Sequence, residues 1–154
     1  MQATNASAPK PILSQQNIQL GLKPEMPQEA IRRCGRMLAE AGYVKEEYIK
    51  GMLARDAAFS TAIGNLIAIP HGEKEYKEHI LCTGVVVITY PDGIDWNGVP
   101  VKLVIGIAAK GDEHLSILEN IVETLEEEED VVRLVNAGDA QAIYKIFTAE
   151  GESI

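Results

Sequence analysis

Three imidazoles, those of His71, His79 and His114, are the side chains best suited by type to chemistry. His71 stands between Pro70, which ends an apolar run, and Gly72, which lets backbone approach closely or takes a positive φ. That setting delivers an imidazole to a strand end, within reach of a ligand. With a reference pKa of about 6.5, a neutral imidazole offers one ring nitrogen as nucleophile or metal ligand without a separate base. The plainer alternative is an ordinary loop histidine. His114, in KGDEHLSILENIVETL, falls in the first turn of a helix that Asp112 is suited to cap. Free N–H groups and the positive end of the helix dipole favour an anion there. His114 also shares an inward row with Leu118, Ile121 and Leu125. It either donates to an anionic group held by another residue or sits at the core's edge, satisfied by a carbonyl. Arg55 closes a helix just before STAIG, the small-residue loop leading to His71. It is either a dipole partner worth about 0.3–1 kcal/mol or a planar clamp for phosphate oxygens. His79, among charges in EYKEHIL, is expected to be solvated ahead of a strand.

Other chemistries find no support in the sequence. It has no GxxxxGKS or GxxxxGKT phosphate loop, and no GxGxxG, GxSxG or HExxH. A metal module built on His71 and His114 remains a competing class, although it lacks a local third ligand. Cys34 and Cys82 lie far apart in apolar surroundings, so neither a CxxC pair nor a zinc knuckle is available, and a reducing compartment is expected. Asp plus Glu number 23 against 14 Lys plus Arg, for a formal net charge of −9, and aromatics are 5%. Phosphate-backbone binding and base stacking are both disfavoured, so no nucleic-acid partner is expected. No stretch approaches the roughly 18 apolar residues of a membrane span, and the polar start has no signal core.

At 154 residues and 46% hydrophobic content, the chain can bury one sizeable core. Residues 1–14, rich in Ala, Ser, Asn and Pro, read as a flexible lead-in with little to bury, and one domain is expected over 15–150. Apolar spacing predicts a helix from Pro27 to Ala41, bearing Arg32, Arg33 and Arg36 on its outer face, and a second from about Tyr48 to Arg55. Leu66–Ile69 reads as a short buried strand. Thr83–Tyr90 and Val101–Ala108 are β-branched strands, separated by the turn-rich YPDGIDWNGVP. A helix over 113–128 and shorter ones over about 130–136 and 139–148 complete the chain. The acidic run Glu126–Asp130 is read as the solvated, frayed end of the first of these. Helices on either side of continuous apolar strands imply an α/β sheet covered on both faces.

In order, NIQLG, GYVKEEYIKGMLARD, STAIGNLIAIPHG, TGVVVITYPDGI and LVIGIAAKGDEHLSIL span about Ser14 to Phe147. Together they resemble the enzyme IIA domain of the bacterial phosphoenolpyruvate-dependent sugar phosphotransferase system, fructose/mannitol family. GIAAKGDEHL points to the mannitol type within it. The resemblance implies a mixed, mostly parallel sheet between helices and a cytoplasmic phosphocarrier. His71 would accept a phosphoryl group from phospho-HPr and pass it to the cysteine of the mannitol permease's IIB domain. His114 would be the second site histidine, and Arg55 the arginine kept before the STxIG loop. The implied chemistry needs no cofactor or metal, and only transient contact with a membrane permease. No IIB or IIC portion follows in the sequence, so a free-standing IIA that meets its partners by diffusion is expected. Transfer across two protein interfaces implies an apolar rim at the histidine, for which Ile63, Leu66 and Ile69 are candidates, as they also are for the core beneath. A regulatory IIA of the nitrogen-related branch shares His71 and is the alternative reading.

Overall fold

The computed structural model describes residues 11–111 and 113–153, with side chains for 11–111 and 116–147. Strands β1 (Ile18–Gln19), β2 (Ala62–Gly64), β3 (Ile67–Ala68), β4 (Gly84–Trp96) and β5 (Val99–Ala108) form one sheet in the order β1-β4-β5-β3-β2. It is mixed: β1/β4 and β3/β5 pair in parallel, β4/β5 and β2/β3 antiparallel. The long β4/β5 hairpin forms its centre, with Val85 opposite Ile107 and Val87 opposite Ile105.

Strand periodicity then sorts these apolar runs onto two faces. Val86, Ile88 and Val104 point to one core, packed with Ile31, Cys34 and Leu38 of α1 (Pro27–Glu40) and Met52 of α2 (Tyr48–Ala58). Val85, Val87, Ile105 and Ile107 point to the other. There they meet α3 (Glu113–Thr124), α4 (Glu128–Ala137) and α5 (Ala140–Ser153), through Ile117, Ile121, Val131, Val135 and Ile143. The expected α/β layering, with helices on both faces, is therefore present.

Four local expectations change. Pro11–Ser14 do not behave as a lead-in: Leu13 is buried, Val85 N–H donates to Ile12 O at 2.8 Å, and the Tyr43 hydroxyl donates to Pro11 O at 2.6 Å. YPDGIDWNGVP is mostly strand rather than connector. A shift in pairing between Thr89 and Ile94 absorbs Pro91 and Gly93, after which Ile94 and Trp96 are buried while Asp95 faces out. The reversal itself is confined to Asn97 and Gly98, whose φ of 55° and 97° suit a tight hairpin turn. Third, the acidic run is not a frayed helix end. α3 stops at Thr124, and Glu127 opens α4 with a capping box in which the Asp130 carboxylate accepts Glu127 N–H at 3.0 Å. Glu128, Glu129 and Asp130 thus lie at the end of a helix dipole that favours them. Finally, His79 precedes β4 but is not fully solvated. It ends a 3₁₀ segment, Lys74–His79, half-buried beside the Tyr76 ring.

Candidate functional site

The Ile67–Ala68 strand pairs with β5 and is followed by Ile69 and Pro70 on the same course, so that Pro70 O accepts Ile107 N–H at 2.9 Å. His71 then forms an isolated parallel bridge with Ile107. Its imidazole is half-buried, with Nδ1 2.8 Å from Ile69 O. A carbonyl only accepts, so Nδ1 carries the proton and the ring's lone pair lies on Nε2. The backbone two residues earlier thereby chooses the nucleophilic atom.

His71 faces a cleft of about 490 Å³ whose lining includes Tyr48, Arg55, Phe59, Lys74, Lys77 and Ala109. Three cationic side chains among these, Arg55, Lys74 and Lys77, stand against Glu73 and Glu75. Lys77 Nζ also donates to Gly111 O at 2.9 Å, fastening the 3₁₀ segment to the chain entering α3.

Arg55 stands both at a helix end and at the His71 cleft. It sits in the last turn of α2, where Nη1 donates to Phe59 O at 2.5 Å and the guanidinium lies 5.7 Å from the Phe59 ring. It also lines the His71 cleft, with further N–H groups beyond the one given to Phe59. His114 lies in the first turn of α3, but its side chain falls outside the described residues. Of the three rim candidates, Ile69 and Leu66 are core at 2% and 9% exposure, whereas Ile63 is on the surface at 51%. Phe59, 72% exposed at the cleft, joins it as an apolar surface group.

Two supporting groups escaped sequence reasoning. Asp56, buried, accepts three hydrogen bonds on Oδ1: from Thr61 N–H at 2.8 Å, Thr61 Oγ1 at 2.6 Å and Trp96 Nε1 at 2.9 Å. Thr61 O in turn accepts Ile69 N–H at 2.9 Å, so this carboxylate fixes the loop against which the histidine segment is laid. Tyr48, read only as the start of a helix, brings its hydroxyl under Gly72, whose N–H donates to it at 2.8 Å. A Cβ at Gly72 would stand 2.5 Å from Tyr48 Cε1, so glycine is required here for close approach. Asp56 carried a faint signal, an acid one residue past Arg55 on the helix flank, and Tyr48 a fainter one.

Chemically, the arrangement presents a half-buried imidazole of defined tautomer beside cationic groups. It suits attack on an electrophilic, anionic centre whose charge those groups neutralise. Among the described residues, no cluster of three or more His, Cys, Asp or Glu is placed to hold a metal ion.

Known proteins resemble the chain along most of its length. The family model described as "Phosphoenolpyruvate-dependent sugar phosphotransferase system, EIIA 2" matches residues 11–150. The mannitol-specific phosphotransferase enzyme IIA component of Halalkalibacterium halodurans is 43% identical over 132 residues, covering 86% of this chain and 91% of that protein. The crystal structure of IIA mannitol from Escherichia coli superposes with a TM-score of 0.80 at 36% identity, covering 87% of this chain and 97% of that one. IIA mannitol in its complex with phosphorylated IIB mannitol, also from Escherichia coli, gives 0.80 at 35%, covering 87% and 95%.

Proposed function

Because the chain belongs to the EIIA 2 family of the phosphoenolpyruvate-dependent sugar phosphotransferase system, and so to a family of phosphotransferases, we propose that it is the IIA carrier of a mannitol uptake system. It accepts a phosphoryl group from phospho-HPr on Nε2 of His71 and passes it to the cysteine of a mannitol IIB partner. The observation that carries this reading is the hydrogen bond from His71 Nδ1 to Ile69 O at 2.8 Å, which leaves the lone pair on Nε2. The bond from phosphorus to the donor's histidine nitrogen breaks as the bond to Nε2 forms. His71 keeps its Nδ1 proton throughout, so no base is required and Ile69 O supports the positive ring that results. Arg55, Lys74 and Lys77 neutralise the equatorial oxygens, a role supported by their sharing the His71 cleft, and that is most of what such a transfer asks of a protein. His114 adds a donor from the first turn of α3.

The mannitol assignment draws support from the relatives' specificity. The IIB partner draws support from the solved complex of a IIA relative. The unit responsible is the IIA domain, over residues 15–150 together with the anchored Pro11–Ser14. It works in the cytoplasm and touches a permease only transiently; no helix among the described residues is long and apolar enough to cross a membrane.

The decisive experiment is incubation with phosphoenolpyruvate, enzyme I and HPr, followed by mapping of acid-labile phosphate and a chase with mannitol IIB. Phosphate on Nε2 of His71 that moves to the IIB cysteine is the expected result. His71→Ala should remain folded and accept none; phosphate on that variant would place the acceptor elsewhere. His114→Ala should load normally and discharge more slowly, with His114→Gln milder because an amide N–H can still donate. Phosphate that loads on His71 but never leaves for IIB would favour the regulatory branch.

A further inference from the structure

The parallel ladder that carries His71 is completed in an unusual way. In a parallel bridge between His71 and Ile107, one bond runs from Ile107 N–H to Pro70 O, and it is present at 2.9 Å. Its counterpart would run from Gly72 N–H to Ile107 O. That rung is relayed through the Tyr48 hydroxyl, which accepts Gly72 N–H at 2.8 Å and donates to Ile107 O at 3.1 Å. A hydroxyl between two strands acts as a wedge, because it satisfies both backbone groups while holding them further apart than a direct rung would.

We propose that Tyr48 is a positioning residue for the phosphoryl acceptor, its hydroxyl holding the chain at Gly72 off β5 so that the His71 imidazole faces the cleft with Nε2 outward. The inference rests on the reading of His71 as that acceptor. Three further observations support it. Tyr48 is 2% exposed, so its hydroxyl is held by protein groups. Its ring packs where a Gly72 Cβ would be, so phenol and loop are fitted to each other. Burial pushes the phenol up to about 12, which keeps the proton that the bond to Ile107 O needs. Tyr48 opens α2 and Arg55 closes it, so one helix sets both the wedge and the cleft's arginine.

The test is Tyr48→Phe, which keeps the ring and removes the wedge. Single-turnover transfer from phospho-HPr should fall about tenfold to a hundredfold, the scale expected of a misplaced nucleophile. The HPr concentration at half-saturation should not change, since a buried phenol does not meet the partner. Nitrogen-15 NMR of unphosphorylated protein should show His71 as the Nδ1–H tautomer in wild type and as a mixture in the variant. Gly72→Ala, which pushes on the same ring from the other side, should reproduce both effects and serves if Tyr48→Phe fails to fold. Unchanged transfer with an unchanged tautomer would overturn the proposal, as would a lowered melting temperature with normal transfer per folded molecule. If wild type takes no phosphate on His71, the functional reading fails, and the tautomer measurement still decides the role of Tyr48.

Discussion

In the proposed transfer, His71 owes its chemistry to a backbone carbonyl: a single bond at 2.8 Å leaves the lone pair on one of two otherwise similar nitrogens. Arg55 is the residue whose duties are most divided. Its Nη1 is committed to Phe59 O, which closes the end of α2, while the rest of the guanidinium borders the cleft. If that remainder meets the phosphoryl oxygens, Arg55→Ala should slow transfer from phospho-HPr by about a hundredfold, the scale measured when one transition-state donor is lost. Arg55→Lys should recover only part of this, because a point charge does not replace a planar fork. Stopped-flow transfer kinetics of the two variants decide the matter. Normal kinetics with a stability loss of only about 0.3–1 kcal/mol would leave Arg55 as a helix-end residue.

Between elements, the site depends on Asp56, whose one oxygen ties α2 to the loop before β2 and to the end of β4. Replacing it by Ala strands Thr61 N–H and Trp96 Nε1–H in a buried setting, at about 1–3 kcal/mol for each unpaired group. Urea unfolding of Asp56→Ala should therefore show a loss of about 2–6 kcal/mol, and the folded fraction should load phosphate more slowly as Thr61 releases Ile69. Unchanged stability would mean that the loop is held by other contacts. The partners of Asp56 and Tyr48 explain why neither was legible in the sequence. Trp96 lies 40 residues from Asp56, and Ile107 lies 59 from Tyr48, whereas periodicity reports only near neighbours. Helices α1 and α3 and the Val-rich strands were legible because their burial is written directly in apolar spacing. YPDGIDWNGVP was not, since Pro91 and Gly93 favour turns locally and only pairing with Val99 and Val101 makes the segment a strand. The acidic run misled in the same way: five acids look poor at a helix end until one sees that the end is the next helix's beginning. His71 and Arg55 stood out because chemistry and neighbourhood coincide in a short motif.

Across the whole molecule, the His71 cleft lies where that residue meets the end of β5, while the chain entering α1 is held by a separate polar cluster. There Arg33 grips both oxygens of Glu25, at 2.9 and 3.0 Å, and the Tyr90 hydroxyl donates to the same carboxylate. Hydrogen bonding from Arg33 leads the effects that hold the Glu25 carboxyl below its ordinary value of 4.5, with Tyr90 adding to it. A carboxylate depressed in the folded state binds protons more readily when unfolded. Its contribution is therefore complete above about pH 4.5 and is lost as pH falls through the lower folded value. Melting temperatures followed from about pH 6 to about pH 3 should drop more steeply for wild type than for Glu25→Gln; parallel curves would remove Glu25 from acid stability. Trp96, which completes the Asp56 network from the buried tip of β4, is the only tryptophan in the chain. It makes the carrier its own optical probe. Indole emission is blue when dry and shifts red when water reaches the ring, so the colour of this single fluorophore reports, without any label, whether the loop that backs the histidine is closed.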